Sequence, residues 1–200
     1  MLQRPDALRL IDAAFPDQPM VLTLGGTIRE MLAVVGRKPN HLYCLDAMGQ
    51  PLAIGLGLAA GVEQGARGER VVIVEGDGSL LMGFSALATV GHLKPRNLVL
   101  LVLDNGVYLA TGGQPTAARD TDLVGVARAC NWAAARDVDS SLDGLRDALD
   151  WATHADGPLL LRVPVGLEQP RTDFFLEDPV VLARDFTDWL QTDRATRVHS

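Results

Sequence analysis

The stretch VVIVEGDGS, Val71–Ser79, decides the fold. It opens on four consecutive β-branched residues, Val71–Val74, which is typical of a strand buried on both faces of a parallel sheet. Gly76 and Gly78 then allow a tight turn and a close approach of the backbone to a ligand. Helical spacing follows over Leu80–Leu93. This order predicts a ligand site, because open α/β sheets bind ligands at the carboxyl ends of their strands.

Outward from this stretch, apolar runs of strand length alternate with segments of helical spacing. Such alternation predicts an α/β fold with a doubly wound, mostly parallel sheet of about six strands. We expect one domain over residues 1–170 and a C-terminal tail over residues 171–200, whose helix packs on the domain or on a partner. The expected strands are Met20–Leu24, His41–Leu45, Val71–Val74, Leu98–Leu103 and Pro158–Val163. The expected helices are Thr27–Val35, Pro51–Glu63, Leu80–Leu93, Thr121–Cys130, one capped by Ser140 or Ser141 that runs through Thr153, and Pro179–Leu190.

Composition argues against several classes of protein. The chain has 200 residues, 48% of them hydrophobic, and a formal net charge of −7. An acidic chain without a basic stripe is a poor candidate for binding nucleic acid, and no apolar run approaches the roughly 18 residues that span a bilayer. The charged segment Met1–Arg9 lacks the apolar core of a signal peptide, so we expect a cytoplasmic protein that does not bind membranes. Cys44 and Cys130 are too few and too far apart for a disulfide framework or a cysteine zinc site.

Two polar turns follow neighbouring strands. In the first, Ser79 can cap a helix whose free N–H groups favour a phosphate, and Asp77 would repel a diphosphate unless a cation lay between them. Mg²⁺ suits this position, since it takes oxygen ligands from carboxylate, amide and phosphate together. The second turn, Asp104–Tyr108, follows the next apolar run and brings Asn105 close to Asp77. The side-chain oxygen of Asn105 and a backbone carbonyl at Val107 can complete the protein's share of an octahedron.

The turn Gly76–Ser79, followed by Asp104–Asn105, resembles the cofactor motif of thiamine-diphosphate-dependent enzymes, which begins Gly-Asp-Gly and ends in a pair of Asn residues. Asp104 departs from that pair, at the position that is usually not bound to the metal. The resemblance implies thiamine diphosphate and Mg²⁺ as cofactors, held by the diphosphate-binding (PP) domain of this family over residues 1–170. It implies Asp77, Asn105 and the carbonyl of Val107 as metal ligands. It implies cofactor contacts from Gly25, Asp46, Met48, Gly76, Asp77, Gly78, Ser79, Asn105 and Tyr108.

A second segment, Leu45–Pro51, resembles the part of this family that cradles the aminopyrimidine ring of the cofactor. Met48 matches the bulky apolar residue that wedges between the two cofactor rings, and plain core packing is the other interpretation of this side chain. The backbone carbonyl of Asp46 matches the acceptor for the 4′-amino group. The resemblance extends over Met20–Pro164.

The family places its catalytic Glu on a separate pyrimidine-binding (PYR) domain, and this chain has room for one domain only. No Glu here lies in the context of a PYR domain, so we expect surface or capping roles for Glu30, Glu63, Glu69 and Glu75. The catalytic residue is therefore unassigned in this chain. We expect a PYR-domain (alpha-type) subunit to supply it, in an α2β2 or larger assembly with this beta-type subunit.

The loop Thr111–Thr116 resembles the Thr-Gly-Gly-Gln segment of phosphonopyruvate and sulfopyruvate decarboxylases, whose substrates are 2-oxo acids with a second anionic group. The resemblance implies a small 2-oxo acid substrate, and aldehyde and carbon dioxide as products. Hydrogen bonds from the loop could hold the second anionic group, although a plain surface turn is the other interpretation. The expected substrate residues are Thr111, Gly112, Gly113 and Gln114.

Two other functions stay open from the sequence. The chain could belong to a carboligase that resembles acetohydroxyacid synthases, or it could be a non-catalytic scaffold of PP type. A dinucleotide-binding domain is disfavoured, because its Gly-x-Gly-x-x-Gly turn should follow an early strand and Leu24–Gly26 does not fit it.

Overall fold

The computed structural model describes residues 1–175 and 177–197, with side chains as far as residue 192. The helices are α1 (Arg4–Ala14), α2 (Gly26–Val34), α3 (Pro51–Glu63), α4 (Asp77–Met82), α5 (Ala86–Leu93), α6 (Leu123–Ala129), α7 (Leu142–His154) and α8 (Pro179–Arg197), with a 3₁₀ turn at Ala117–Arg119. The strands are β1 (Met20–Leu22), β2 (His41–Tyr43), β3 (Val71–Gly76), β4 (Leu98–Asp104), β5 (Val107–Tyr108), β6 (Gln114–Pro115), β7 (Ala134–Asp137) and β8 (Leu159–Pro164).

Six parallel strands form one sheet in the order β2-β1-β3-β4-β8-β7. The predicted α/β fold is thereby confirmed. The chain runs outward from β1 to β2 and then returns to the other side of β1 at β3, so the switch point of the sheet lies between β1 and β3. Ligand sites of doubly wound sheets lie at such points, beyond the carboxyl ends of the strands.

Both faces of the sheet are buried, as the β-branched run at β3 predicts. Alternate residues point to opposite faces, and Val72 and Val74 join a core with α1, α2 and α7. Val71 and Ile73 join a second core with α3, α5 and α6. The sheet is therefore a rigid central layer, on which the polar turns beyond its strands are mounted.

The predicted single helix over Leu80–Leu93 is wrong, because the segment forms two helices with a break at Gly83–Ser85. A Cβ atom on Gly83 would lie 1.9 Å from the carbonyl oxygen of Gly49, so the backbones of two segments meet there. The capping role of Ser79 is also wrong. Helix α4 begins at Asp77 with Gly76 as its N-cap, and Ser79 is its third residue.

Several further elements were not predicted. Helix α1 begins within the charged N-terminal segment, for which no helix was predicted. Strand β7 lies at the edge of the sheet and buries only Ala135 fully, so it lacks an apolar run. The antiparallel hairpin of β5 and β6 forms inside the loop that follows β4.

The tail packs along β2 at the edge of the sheet. The Phe175 and Tyr43 rings lie 5.3 Å apart between centroids, and Leu182 of α8 is buried in the first core. Arg37 pairs with Glu177 at 2.8 Å and with Asp185 at 2.6 Å. None of the described helices, α8 included, is long and apolar enough to cross a membrane. The domain boundary at residue 170 stays a prediction.

At the amino ends of the strands, far from the glycine turns, the carboxylate of Asp12 is buried between two nitrogen groups. Lys38 Nζ lies 2.8 and 2.6 Å from its two oxygens, and His41 Nε2 lies 3.1 Å from Oδ1. Burial by itself would raise the pKa of Asp12, but hydrogen bonds to His41 and Lys38 outweigh burial and lower it. A carboxyl with a lowered pKa stabilises the fold above its unfolded pKa, roughly 3.9, and that stabilisation is lost as the pH falls through its folded pKa.

We expect the substitution Asp12→Asn to lower the free energy of unfolding by about 2 kcal/mol at pH 6 and by less at pH 3. Urea denaturation at the two pH values measures the difference. The matched control is Asp6→Asn, since Asp6 makes an exposed ion pair with Arg9 that contributes less than roughly 1 kcal/mol. An equal loss for Asp12→Asn at both pH values would contradict this account.

Candidate active site

A cavity of about 610 Å³ opens at the switch point of the sheet, beyond the carboxyl ends of β1, β3 and β4. Its size is within the range of small-molecule sites. Ten predicted residues line it, namely Gly25, Met48, Gly76, Asp77, Gly78, Ser79, Asn105, Val107, Tyr108 and Thr111.

The other four predicted residues lie outside this cavity. Asp46 lines a neighbouring pocket with Phe174 and Phe175. Gly112, Gly113 and Gln114 are exposed at the turn of the β5–β6 hairpin. The loop from Ala110 to Thr111 connects the cavity to that turn.

Asp77 contributes a carboxylate to the lining of the cavity, and only 2% of the residue is exposed. Thr116 Oγ1 donates a hydrogen bond to Asp77 Oδ2 at 2.5 Å. Burial raises the pKa of Asp77, and the charge of Asp104 adds to this, although the Thr116 hydroxyl and the backbone amides of Asn105 and Gly78 act in the opposite direction. A buried carboxylate whose charged form is disfavoured in this way gains stability from a bound cation.

Asn105 lies beside Asp77 because β3 and β4 are paired, with Gly76 opposite Leu103. The backbone N–H of Val107 donates to Asn105 Oδ1 at 3.0 Å, which fixes the amide in a tight turn. An amide oxygen accepts two hydrogen bonds or ligand contacts, so one lone pair of Oδ1 is left for a cation. Both residues line the cavity, and the backbone N–H of Asn105 is hydrogen-bonded to the Asp77 carboxylate. That the two side chains share a metal ion stays a prediction.

Asp104, which replaces the first Asn of the family motif, is held inside the sheet. Gly106 N–H donates to its Oδ1 at 2.9 Å, and Arg162 Nε donates to its Oδ2 at 2.7 Å. Arg162 also contacts Asp137 at 2.9 Å. The guanidinium on β8 therefore balances the charge of Asp104, at the base of the turn that carries Asn105.

We expect Arg162→Met to lower the free energy of unfolding by about 2 kcal/mol, because it leaves Asp104 buried without its counter-charge. The double variant Arg162→Met with Asp104→Asn is expected to recover most of this loss, since no charge is then left unpaired. Urea denaturation of the single and double variants measures the coupling. The control is Asp137→Asn, which removes only the exposed contact. Additive losses for Arg162 and Asp104 would show that the pair does not act as a unit.

The glycine turn leaves room for a ligand on one side and is closed on the other. A Cβ atom on Gly76 would meet nothing within 4 Å, whereas a Cβ atom on Gly78 would lie 2.3 Å from Cε1 of Tyr108. The Tyr108 ring thus packs directly on the backbone of α4. An open backbone beside a buried carboxylate is a suitable place for phosphate oxygens and a cation.

The turn that carries Met48 is fixed by its glycine. Gly49 has a φ of 80° and donates its N–H to Ser79 Oγ at 2.9 Å. Its backbone also meets that of Gly83, where no side chain would fit. Met48 lines the cavity, and its role as a wedge between the cofactor rings stays a prediction.

The expectation of surface or capping roles is wrong for Glu30 and Glu75, which are both buried. Thr23 Oγ1 donates to Glu75 Oε1 at 3.0 Å, and Oε2 of Glu75 has no hydrogen-bond partner among the residues described. Burial raises the pKa of Glu75 to about 7, while hydrogen bonds with Ser79 and Thr23 act against this rise. The position of Glu75 inside a buried strand was the signal that could have revealed it.

Sequence reasoning also missed two arginines that line the cavity. Arg4 comes from the unpredicted helix α1, and Arg29 comes from α2, one turn beyond Gly25. The helical spacing over Thr27–Val35 is the signal that places the charge of Arg29 near the turn that follows β1.

The described residues contain no cluster of three or more His, Cys, Asp and Glu side chains that could hold a metal ion. One carboxylate, one amide oxygen and a backbone carbonyl are instead the donor set that Mg²⁺ accepts when phosphate oxygens and water fill its other positions. The residues of this cavity therefore fit a diphosphate and its magnesium ion.

Comparison with known proteins places this geometry in a family. Residues 26–163 match the family model described as thiamine pyrophosphate enzyme, C-terminal TPP binding domain; pyrophosphate and diphosphate are two names for the same group. A phosphonopyruvate decarboxylase of Streptomyces viridochromogenes is 40% identical over 204 residues, which is 97% of this chain and 48% of that protein. A sulfopyruvate decarboxylase subunit beta of Methanothermobacter thermautotrophicus is 36% identical over 165 residues, 82% of this chain and 83% of that subunit.

Among solved structures, a putative thiamin diphosphate-dependent enzyme from Mycobacterium smegmatis has a TM-score of 0.69 at 23% identity, over 84% of this chain and 32% of that chain. That likeness bears on the fold alone. The chain spans about half the length, or less, of the phosphonopyruvate decarboxylases it matches. The family-model match over residues 26–163 covers β3, β4 and both polar turns. We therefore conclude that the chain belongs to the thiamine pyrophosphate enzymes and contains their C-terminal, thiamine-diphosphate-binding domain.

Proposed function

We propose that this chain is the diphosphate- and magnesium-binding subunit of a thiamine-diphosphate-dependent decarboxylase, a carbon–carbon lyase. Its substrate is a small 2-oxo acid of the phosphonopyruvate or sulfopyruvate type, and its products are an aldehyde and carbon dioxide. The observation that carries the proposal is the buried carboxylate of Asp77 beside Asn105, at the tips of paired strands and inside the matched region. The names of the relatives support the choice of reaction.

The residues of the cavity divide into those for the metal and those for the cofactor. Asp77, the Asn105 side chain and the Val107 carbonyl hold Mg²⁺, and the turn Gly76–Ser79 holds the diphosphate. Met48 orients the two rings of the cofactor. The backbone carbonyl of Asp46, next to the cavity, is the acceptor for the 4′-amino group.

When bound, thiamine diphosphate supplies the electron sink that allows a 2-oxo acid to lose carbon dioxide. The chain's own contribution is to bind the cofactor and to fix its conformation. The residues that contact the substrate are Thr111 and the exposed residues Gly112, Gly113 and Gln114.

Completion of the site requires a PYR-domain partner, in an α2β2 or larger heteromer. The subunit naming of the archaeal relatives supports a partner. Two large apolar side chains beside the cavity and the neighbouring pocket are uncovered in this chain, Met82 and Phe174. Exposed apolar groups at the rim of a site are typical of an interaction surface. The cytoplasmic location stays a prediction.

Co-expression with a candidate PYR-type subunit, followed by product analysis, tests the proposal. We expect aldehyde and carbon dioxide from phosphonopyruvate or sulfopyruvate with the complex, and no turnover with this chain alone. A ligated product would identify a carboligase of the acetohydroxyacid-synthase kind instead. Absence of both turnover and thiamine diphosphate binding in the complex would indicate a scaffold subunit.

A further inference from the structure

Two guanidinium groups line the cavity, and the charge of one is neutralised inside the protein. Arg4 Nε donates to Glu30 Oε2 at 2.7 Å, and a terminal nitrogen of Arg4 lies 2.5 Å from Oε1. This bidentate pair is almost completely buried. Arg4 therefore brings no net charge to the cavity, because its counter-ion is fixed beside it.

The second guanidinium, that of Arg29, has no carboxylate partner within the part of the chain that the structure describes. Its contact is with the Phe174 ring, whose centroid lies 5.4 Å from Arg29 Cζ. Arg29 lines both the cavity and the neighbouring pocket, as do Gly25 and Ala110. An unneutralised cation in a concave, largely apolar site attracts anions more strongly than one on an open surface.

The loop that was predicted to bind the substrate has already used most of its hydrogen-bond donors. The Thr116 hydroxyl donates to Asp77, and the Gly113 N–H donates to the Tyr108 carbonyl at 2.9 Å. Thr111 Oγ1 donates to Gln114 Oε1 at 3.1 Å, and Gln114 Nε2 donates back to the Thr111 carbonyl. An anionic group beside this loop therefore needs a partner from another element.

We propose that Arg29 binds the second anionic group of the substrate, a phosphonate or a sulfonate, in the cavity that it lines together with Thr111. This inference rests on the proposed function for its choice of substrate. A planar guanidinium donates two parallel hydrogen bonds to the oxygens of such a group, which an ammonium cannot do. The diphosphate of the cofactor offers the same chemistry, so the experiment has to separate the two anions.

The experiment uses the full chain in complex with its PYR-type partner, saturated with thiamine diphosphate and Mg²⁺. The probe is 3-phosphonopropanoate, which carries a carboxylate and a phosphonate but no reactive carbonyl, and butanoate is the probe without the second anion. Calorimetry gives both dissociation constants for the parent protein and for the Arg29→Met and Arg29→Lys variants. Arg96→Met is the control variant, since Arg96 is exposed and pairs with Asp156 away from the cavity.

We expect Arg29→Met to weaken binding of 3-phosphonopropanoate about tenfold or more, Arg29→Lys to weaken it less, and butanoate binding to change less than about twofold. Equal losses for the two probes, or no binding of 3-phosphonopropanoate by the parent protein, would overturn the proposal. So would a tenfold weaker affinity for thiamine diphosphate with unchanged probe binding, because Arg29 would then serve the diphosphate.

Failure of the proposed function has a different signature. If the complex decarboxylates neither phosphonopyruvate nor sulfopyruvate but still binds 3-phosphonopropanoate through Arg29, the reaction is wrong while the anion site stands. If the complex decarboxylates them and Arg29→Met leaves KM unchanged, the reaction stands and the role of Arg29 is wrong.

Discussion

Replacing Asp77 by Ala is expected to lower the affinity for thiamine diphosphate in the presence of Mg²⁺ by about 100-fold or more. Among the described residues that line the cavity, Asp77 is the sole carboxylate. Without it, the diphosphate and the metal lose the one negative charge that the protein contributes, a change of about 3 kcal/mol or more. Isothermal titration of the complex with the cofactor, with and without Mg²⁺, measures this loss.

The fold itself is expected to tolerate this change. Burial disfavours the charged form of Asp77, so replacing the carboxylate removes an electrostatic cost. The same replacement also loses the hydrogen bond from Thr116. We therefore expect the free energy of unfolding without cofactor to change by less than about 1 kcal/mol. The matched control is Asp46→Asn, because Asp46 is proposed to act through its backbone carbonyl, which the variant retains. Unchanged cofactor affinity in Asp77→Ala would remove the basis of the proposed function.

The second large effect is expected from Gly83→Ala, which should lower the free energy of unfolding by about 3 kcal/mol. The new methyl group would lie 1.9 Å from the Gly49 carbonyl oxygen, so one of two backbone segments has to move. Because Gly49 follows Met48 directly, we also expect weaker binding of thiamine diphosphate in the variant. Urea denaturation and cofactor titration measure the two effects separately.

A glycine that lies in a helix without a close neighbour provides the control. Gly57 is exposed within α3, and a Cβ atom there would meet nothing within 4 Å. Gly57→Ala is expected to raise stability by up to about 1 kcal/mol, because Ala is the better helix former. Similar behaviour of the two variants would mean that the contact at Gly83 does not constrain the fold.

The elements that depend on local pattern were predicted well. Helix α3 runs over Pro51–Glu63, as predicted, because Pro51 starts it and Ala and Leu fill it. The apolar runs at β3 and β4 correctly predicted both strands. Because the two strands are paired, Asn105 lies beside Asp77. Helix α7 begins after Ser141, whose hydroxyl accepts the Gly144 N–H, as one of the two predicted caps.

The features that depend on contacts between distant residues were not predictable from one sequence. The helix break at Gly83 lies where its backbone contacts that of Gly49, a contact that no local pattern reveals. The hydrogen bond from Thr116 to Asp77 and the pair of Asp104 with Arg162 likewise join segments far apart in the chain. Helical spacing places Arg29 near the turn after β1, but that it lacks a carboxylate partner among the described residues depends on contacts between segments far apart in the chain.

The contact between Gly49 and Gly83 also determines how this pocket could be redesigned for other substrates. A mutagenesis library that randomises residues 47–50 would lose most of its members at Gly49, where φ is 80° and a Cβ atom would lie 2.9 Å from the Gly83 nitrogen. Met48 and Met82 both line the cavity through flexible side chains. Because Met48 is proposed to orient the cofactor rings, Met82 is the one of these two side chains whose variation can reshape the pocket without displacing the main chain.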